Sequence, residues 1–78
     1  MAERAKLKYK GVSYTDEQLL RIGNNVAMLW GAFCFGYRIN RAEQKIYFEC
    51  VEHGEKFLTT IDFDKMEDYM PKGGYRND

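Results

Sequence analysis

The sequence has almost no proline, almost no histidine and no charge of one sign left over. One proline and one histidine occur in 78 residues, cysteine occurs twice, and 12 basic residues meet 12 acidic ones, so the formal net charge is zero. A neutral sum excludes the simplest nucleic-acid binder, a strongly basic domain. It also excludes the simplest disordered chain, which joins low hydrophobicity to high net charge. No long apolar run is present either. The longest stretch without a charge is Ile22 to Tyr37, 16 residues that include Gly23, Asn24, Asn25, Gly31 and Gly36. A bilayer span needs about 18 to 20 apolar residues, so this stretch reads as core. The opening residues Met1 to Lys6 hold no apolar segment of the secretory kind. Two cysteines without such a signal suggest free thiols in a reducing compartment, and the expected location is the cytoplasm.

Catalytic and metal signatures are missing as well. No P-loop, GxGxxG, GxSxG or HExxH pattern occurs. His53 sits at an expected turn between Glu52 and Glu55. A metal site needs three or four converging ligands, and a solvated polar turn explains these three residues better. Asp62, Asp64, Glu67 and Asp68 form the densest carboxylate group. They lack the central glycine of a calcium-binding loop and read as helix capping and solubility. The expectation is no metal, no cofactor and no enzymatic activity.

What is present is apolar and aromatic. Hydrophobic residues are 45% of the chain and aromatics 15%, which suits a short chain because each ring buries a large area. A chain of this size buries only about three fifths of its unfolded surface, enough for one core. Residues 1–78 are read as a single domain: a basic arm or edge strand over 1–14, a globular core over 15–70 and a flexible tail over 71–78. The zero charge divides unevenly. Residues 1–14 carry +3, residues 49–70 carry −5. Such asymmetry orients a partner or folds the arm back on the acidic third.

Residues 6–14 alternate as Lys6, Leu7, Lys8, Tyr9, Lys10, then break at Gly11. Lysines on one side suit an edge strand; a flexible arm is the competing reading. Thr15-Asp16-Glu17-Gln18 matches a capping box, flanked by Tyr14 and Leu19 at the positions of a hydrophobic staple. Leu19, Ile22, Val26, Leu29 and Trp30 recur at helical spacing, which places a helix over about 16–30. A stop at Gly23-Asn24-Asn25 competes with a stop at Gly31, and the longer helix is favoured. From Ala32 the period becomes two, with Phe33, Phe35, Tyr37 and Ile39 on one face. A four-residue loop then pairs Asn40 with Lys45, Ile39 with Ile46, Tyr37 with Phe48 and Phe35 with Cys50. His53-Gly54 turns into a third strand, which pairs Cys50 with Phe57, Phe48 with Thr59 and Ile46 with Ile61. A short helix follows from about Phe63 to Met70, capped by Asp62 and closed by Pro71. The order is (β)αβββα: a three-stranded antiparallel meander packed on one long helix, an α+β two-layer domain. In this register Cys34 lies on the outer face and Cys50 in the core, which predicts two separated free thiols.

Two resemblances accompany these readings. Lys6-Leu7-Lys8-Tyr9-Lys10-Gly11-Val12-Ser13-Tyr14 resembles the opening of a family of small uncharacterised cyanobacterial proteins; it spans nine residues of 78 and implies no function. The order helix, three strands, helix is similar to that of double-stranded-RNA-binding domains. Those domains start their last helix with lysines, whereas this chain reads Asp62-Phe63-Asp64-Lys65-Met66-Glu67-Asp68. Acidic side chains there oppose a phosphate backbone.

The outer sheet face is the most informative remainder. Alternation gives it Cys34, Gly36, Arg38, Tyr47, Glu49, Val51, Lys56, Leu58 and Thr60, with Arg38 across from Tyr47 at cation–π range. Aromatic, arginine and apolar residues among charges are typical of a binding patch. The expected function is a small non-enzymatic protein-interaction domain using Arg38, Tyr47, Glu49, Val51 and Leu58 with Asp64, Glu67 and Asp68 of the last helix. Small motif-free chains are associated with accessory and inhibitor proteins of phages and mobile elements, so the expected partner is a host or defence protein with a basic site. The alternatives are a homodimer through the outer faces and a nucleic-acid-binding regulator using Arg4, Lys6, Lys8 and Lys10.

Overall fold

The structure, a computed structural model, describes residues 4–70. The expected stop at Pro71 and the tail beyond it lie outside the described residues. Residues 6–14 form a hairpin in which β1 (Ala5–Tyr9) pairs antiparallel with β2 (Val12–Thr15). Lys10 and Gly11 take φ values of 51° and 83° at the turn. Left-handed values at both central positions match the twist of the strands, and glycine adopts one without steric cost. Leu7 and Tyr14 enter the core while Lys6 and Lys8 stay exposed. This hairpin is a small sheet of its own, separate from the main one.

Thr15 then caps α1 (Asp16–Ala27). Gln18 N–H donates to Thr15 Oγ1 at 3.3 Å, and Thr15 N–H donates to Gln18 Oε1 at 2.9 Å. This is the capping box that the sequence spells. The helix passes Gly23, reaches Ala27, tightens to a 3-10 turn over Met28–Trp30 and ends at Gly31 with φ 71°. Leu19, Ile22 and Val26 are buried as their spacing requires. The same spacing assigns Leu29 and Trp30 to the inner face, yet both are exposed. A 3-10 turn holds about 3.0 residues instead of 3.6, and that tightening rotates the last residues out of the stripe.

Gly23 sits where the helix crosses the sheet at close range. A Cβ there would lie 2.5 Å from Cys34 Sγ and 2.6 Å from Phe48 Cδ1. The two asparagines that follow are bridges and not a stop signal. Asn24 Oδ1 accepts from the Cys34 N–H at 2.9 Å while its Nδ2 donates to the Leu20 carbonyl at 3.1 Å. Asn25 Nδ2 donates to the Tyr69 carbonyl. At the other end of the helix, Tyr37 donates its hydroxyl to Asp16 Oδ1 at 2.7 Å.

The main sheet is an antiparallel meander of β3 (Phe33–Asn40), β4 (Lys45–Glu52) and β5 (Glu55–Asp62). Asn40–Lys45, Ile39–Ile46, Tyr37–Phe48 and all of the expected β4–β5 pairs are observed. One residue displaces the start of β3. The register shifts between Cys34 and Gly36, so Phe35 is the extra residue of a β-bulge and Cys34 faces Cys50. Three assignments therefore change. Cys34 moves from the outer face into the core. Phe33 pairs with Val51 and, like Phe35, stands exposed. Ala32, which alternation sets on the same side as Cys34, is buried with it.

The last element, Phe63–Tyr69, is a 3-10 helix and not an α-helix. Asp62 makes no side-chain cap there; the Phe63 N–H goes instead to the Gln44 carbonyl at 2.9 Å, which ties this segment to the β3–β4 loop. Phe63 and Met66 are buried and Met70, one turn on, is half-buried, which gives this segment one inner side. Helix, hairpin and 3-10 segment thus share one core with the inner sheet face, around Tyr14, Leu19, Ile22, Ile46, Phe48 and Met66. The class is α+β.

Replacing Gly23 by alanine tests the close crossing. Alanine gains about 1 kcal/mol of helix propensity, but overpacking a filled core costs about 1–3 kcal/mol. A Cβ 2.6 Å from a fully buried ring favours the cost. Gly23→Ala should lower the urea midpoint without changing the slope; a raised midpoint would show that the helix stands farther from the sheet.

Candidate interaction surfaces

Apart from Cys34, the outer face carries the residues that alternation placed there, plus two rings that it did not. Rows run Phe33–Val51–Lys56, Gly36–Glu49–Leu58 and Arg38–Tyr47–Thr60 across the three strands. The bulge adds Phe35, whose ring lies 5.7 Å from Lys56 Nζ. Phe33, Phe35 and Leu58 are 72%, 52% and 57% exposed. These are large apolar side chains on a hydrogen-bonded sheet, so they are held out in water and not swept there by a mobile loop.

The charges on this face are organised around Glu49. Its carboxylate lies over Gly36, where a Cβ would come within 2.5 Å of Oε1. Arg38 reaches the same carboxylate through Nε and Nη2, each at 3.1 Å from Oε2. The expected contact of Arg38 with the Tyr47 ring is replaced by this charge-assisted pair. Tyr47 donates its hydroxyl to Glu43 Oε1 at 3.4 Å. Arg38, Tyr47 and Leu58 nevertheless line one shallow hollow of about 440 Å³. A second hollow of about 280 Å³ lies between Trp30, Glu52, Phe57 and Leu58. Leu58 belongs to both.

Asp64 and Glu67 do not join this face. They line a cavity of about 260 Å³ with Tyr9, Lys10, Val12, Tyr14 and Phe63, between the hairpin and the 3-10 helix. Tyr9 donates its hydroxyl to Asp64 Oδ1 at 2.6 Å, and Lys10 Nζ lies 3.2 Å from the same oxygen. The basic arm thus folds back on the acidic third. Of the arm cations, Arg4, Lys6, Lys8 and Lys10 are all exposed, with Lys10 committed to Asp64. Asp68 is exposed beside Tyr69 and lines none of these cavities.

Cys34 and Cys50 face each other across β3 and β4 as free thiols. Burial pushes the Cys34 thiol up to about 11 and raises that of Cys50. Such thiols hold their protons at neutral pH and make poor nucleophiles. Among the described residues no three potential metal ligands converge, and no helix is long and apolar enough to cross a membrane.

Sequence reasoning missed Phe33, Phe35 and Trp30 as surface residues. The available signal was Gly36 inside a strand pattern, which marks a bulge or a close approach. Comparison with protein-family models, with curated proteins and with solved structures finds no match to this chain.

Two outcomes follow from these environments. The hydrogen bond from Tyr9, then the contact with Lys10, hold the Asp64 carboxyl below its ordinary value. Its folded value lies below that of an unfolded chain, so the stabilisation is complete above the usual carboxylate range and is lost as pH falls through the folded value. Asp64→Asn should therefore flatten the acid limb of stability against pH in urea titrations. An unchanged limb would remove the assignment. The thiols should resist an aromatic disulfide reagent in the native protein at neutral pH and react at once in denaturant; fast native labelling would contradict their burial.

Proposed function

We propose that this chain is a small non-enzymatic protein-interaction domain that docks through its outer sheet face. The observation that carries this reading is the group Phe33, Phe35 and Leu58, each more than half exposed and fixed on a paired strand. Exposed apolar groups rimmed by charges mark interaction sites, and aromatic anchors beside arginine dominate interface energies. The Arg38–Glu49 pair and Lys56 supply the polar rim. A partner that fits offers apolar side chains for the two hollows around Leu58.

The acidic 3-10 helix adds an electrostatic component through Glu67 and Asp68, which favours a partner with a basic site. On that ground, and on the association of small motif-free chains with mobile genetic elements, we place it as an accessory or inhibitor protein. It would cover a basic site on a host or defence protein. Two facing cysteines that remain thiols fit a reducing compartment.

The test is affinity capture from the native host with mass spectrometry, repeated with variants. Leu58→Asp, checked for folding by circular dichroism, should abolish capture of the partner that the wild-type chain retains. Charge reversal at Glu67 and Asp68 should weaken capture and reduce its salt dependence. Full retention by Leu58→Asp sinks the outer-face reading, and a homodimer in sedimentation would give the face to a second copy instead.

A further inference from the structure

The cavity between hairpin and 3-10 helix holds a polar group without a partner. Tyr14 is 1% exposed and lines this cavity. None of the side-chain hydrogen bonds among the described residues involves its hydroxyl. Buried polar atoms are almost always hydrogen-bonded, so the hydroxyl calls for a hydrogen-bonding occupant. Water or a ligand meets that requirement, and the charges around the hydroxyl favour a cationic one.

Lys10 is the single cation of the lining, against Asp64 and Glu67. Both Lys10 and Tyr9 address one oxygen of Asp64, Oδ1. Glu67 has no ion pair among the described residues. The lining therefore keeps one negative charge in excess, with carboxylate oxygens left to accept. Three of the seven lining residues are aromatic. The Tyr9 and Phe63 rings meet edge to face, 5.2 Å between centroids at 66°, and Tyr14 supplies a third ring. Tyr9 is the least buried of the three, and a ring face beside a carboxylate attracts organic cations. The cavity already shows this affinity in its own material, since Lys10 Nζ lies 5.4 Å from the Tyr9 centroid.

We propose that this cavity binds a primary alkylammonium group, held by Glu67 and the Tyr14 hydroxyl and walled by Tyr9, Tyr14 and Phe63. An inorganic cation would leave the rings unused, and a neutral alcohol would leave the charge of Glu67 unused. The ammonium is either a free amine or the end of a lysine side chain. Glu67 also belongs to the acidic 3-10 helix invoked in the proposed function, but this binding needs none of Arg38, Tyr47 or Leu58 and holds with or without a protein partner.

The test is an aromatic carbon–proton NMR titration of the full chain with n-butylammonium, with N-acetyl-lysine methylamide and with n-butanol. Both ammonium probes should move the Tyr14 and Phe63 ring signals to saturation, and butanol should not. Glu67→Gln should weaken the ammonium affinity by about tenfold or more, as expected for a charged hydrogen-bond partner. Tyr14→Phe should weaken it while the fold, read by circular dichroism, persists. Tighter binding of the lysine probe than of butylammonium assigns the site to a protein side chain; equal binding assigns it to a free amine. Saturation by butanol, no saturable shift with either ammonium, or an unchanged affinity in Glu67→Gln overturns the proposal. Leu58→Asp should leave the titration unchanged, so failure of this site and failure of the outer-face reading are separate results.

Discussion

The close crossing of the helix over β3 and β4 is the contact on which the other features rest. Three consecutive residues make it. Gly23 removes the side chain that would strike Phe48 and Cys34. Asn24 then reaches the Cys34 amide, and Asn25 reaches the Tyr69 carbonyl. A backbone amide near a bulge loses its regular ladder partner, and a buried amide left without one costs about 1–3 kcal/mol. Asn24 supplies that partner from the helix. The same helical turn therefore sets the helix-to-sheet distance, supports the irregular part of β3 and holds the end of the 3-10 segment.

The bulge converts this packing into a surface. With an unbroken period of two, Phe33 and Phe35 would fill the inner face and Cys34 would face water. Inserting Phe35 as an extra residue exchanges these roles. The core receives a small thiol where the helix comes closest, and that fits a position beneath a glycine. The outer face receives the two phenylalanines that an unbroken alternation would bury. The apolar patch and the small thiol beneath Gly23 thus come from the same inserted residue.

Much of this was legible in the chain. The Thr15 and Gln18 pair specified the helix start because capping is local chemistry. The pairs from Asn40–Lys45 to Tyr37–Phe48 followed from loop length and matching apolar faces. Gly54 marked a turn because only a few residue types adopt its φ cheaply, whereas Gly11 read only as a break in one strand and is the turn of a hairpin. Other features depend on contacts distant in sequence. Gly23-Asn24-Asn25 has the composition of a helix stop, and only Cys34 and Tyr69, 10 and 44 residues away from their asparagine partners, explain why it is none. The pairing of Cys34 with Cys50 depends on one inserted residue, to which a period-two pattern is blind. Asp62 has the side chain of a cap but makes no cap bond, and the Gln44 carbonyl, 19 residues earlier, takes the Phe63 N–H.

Charge shows the same division between sum and arrangement. The zero total conceals a basic start and an acidic third, and folding brings their nearest members together as Lys10, Tyr9 and Asp64. Exposed ion pairs of this kind contribute little stability, so their main effect is geometric. They fix the hairpin turn against the first turn of the 3-10 helix, close one side of the cavity and leave Glu67 without a counter-ion among the described residues. Were Lys10 to pair with Glu67 instead, Asp64 would keep only the Tyr9 hydroxyl and the aromatic walls would enclose a balanced charge. As built, attraction for a cation is a property of the arrangement and is invisible in any count of lysines and glutamates.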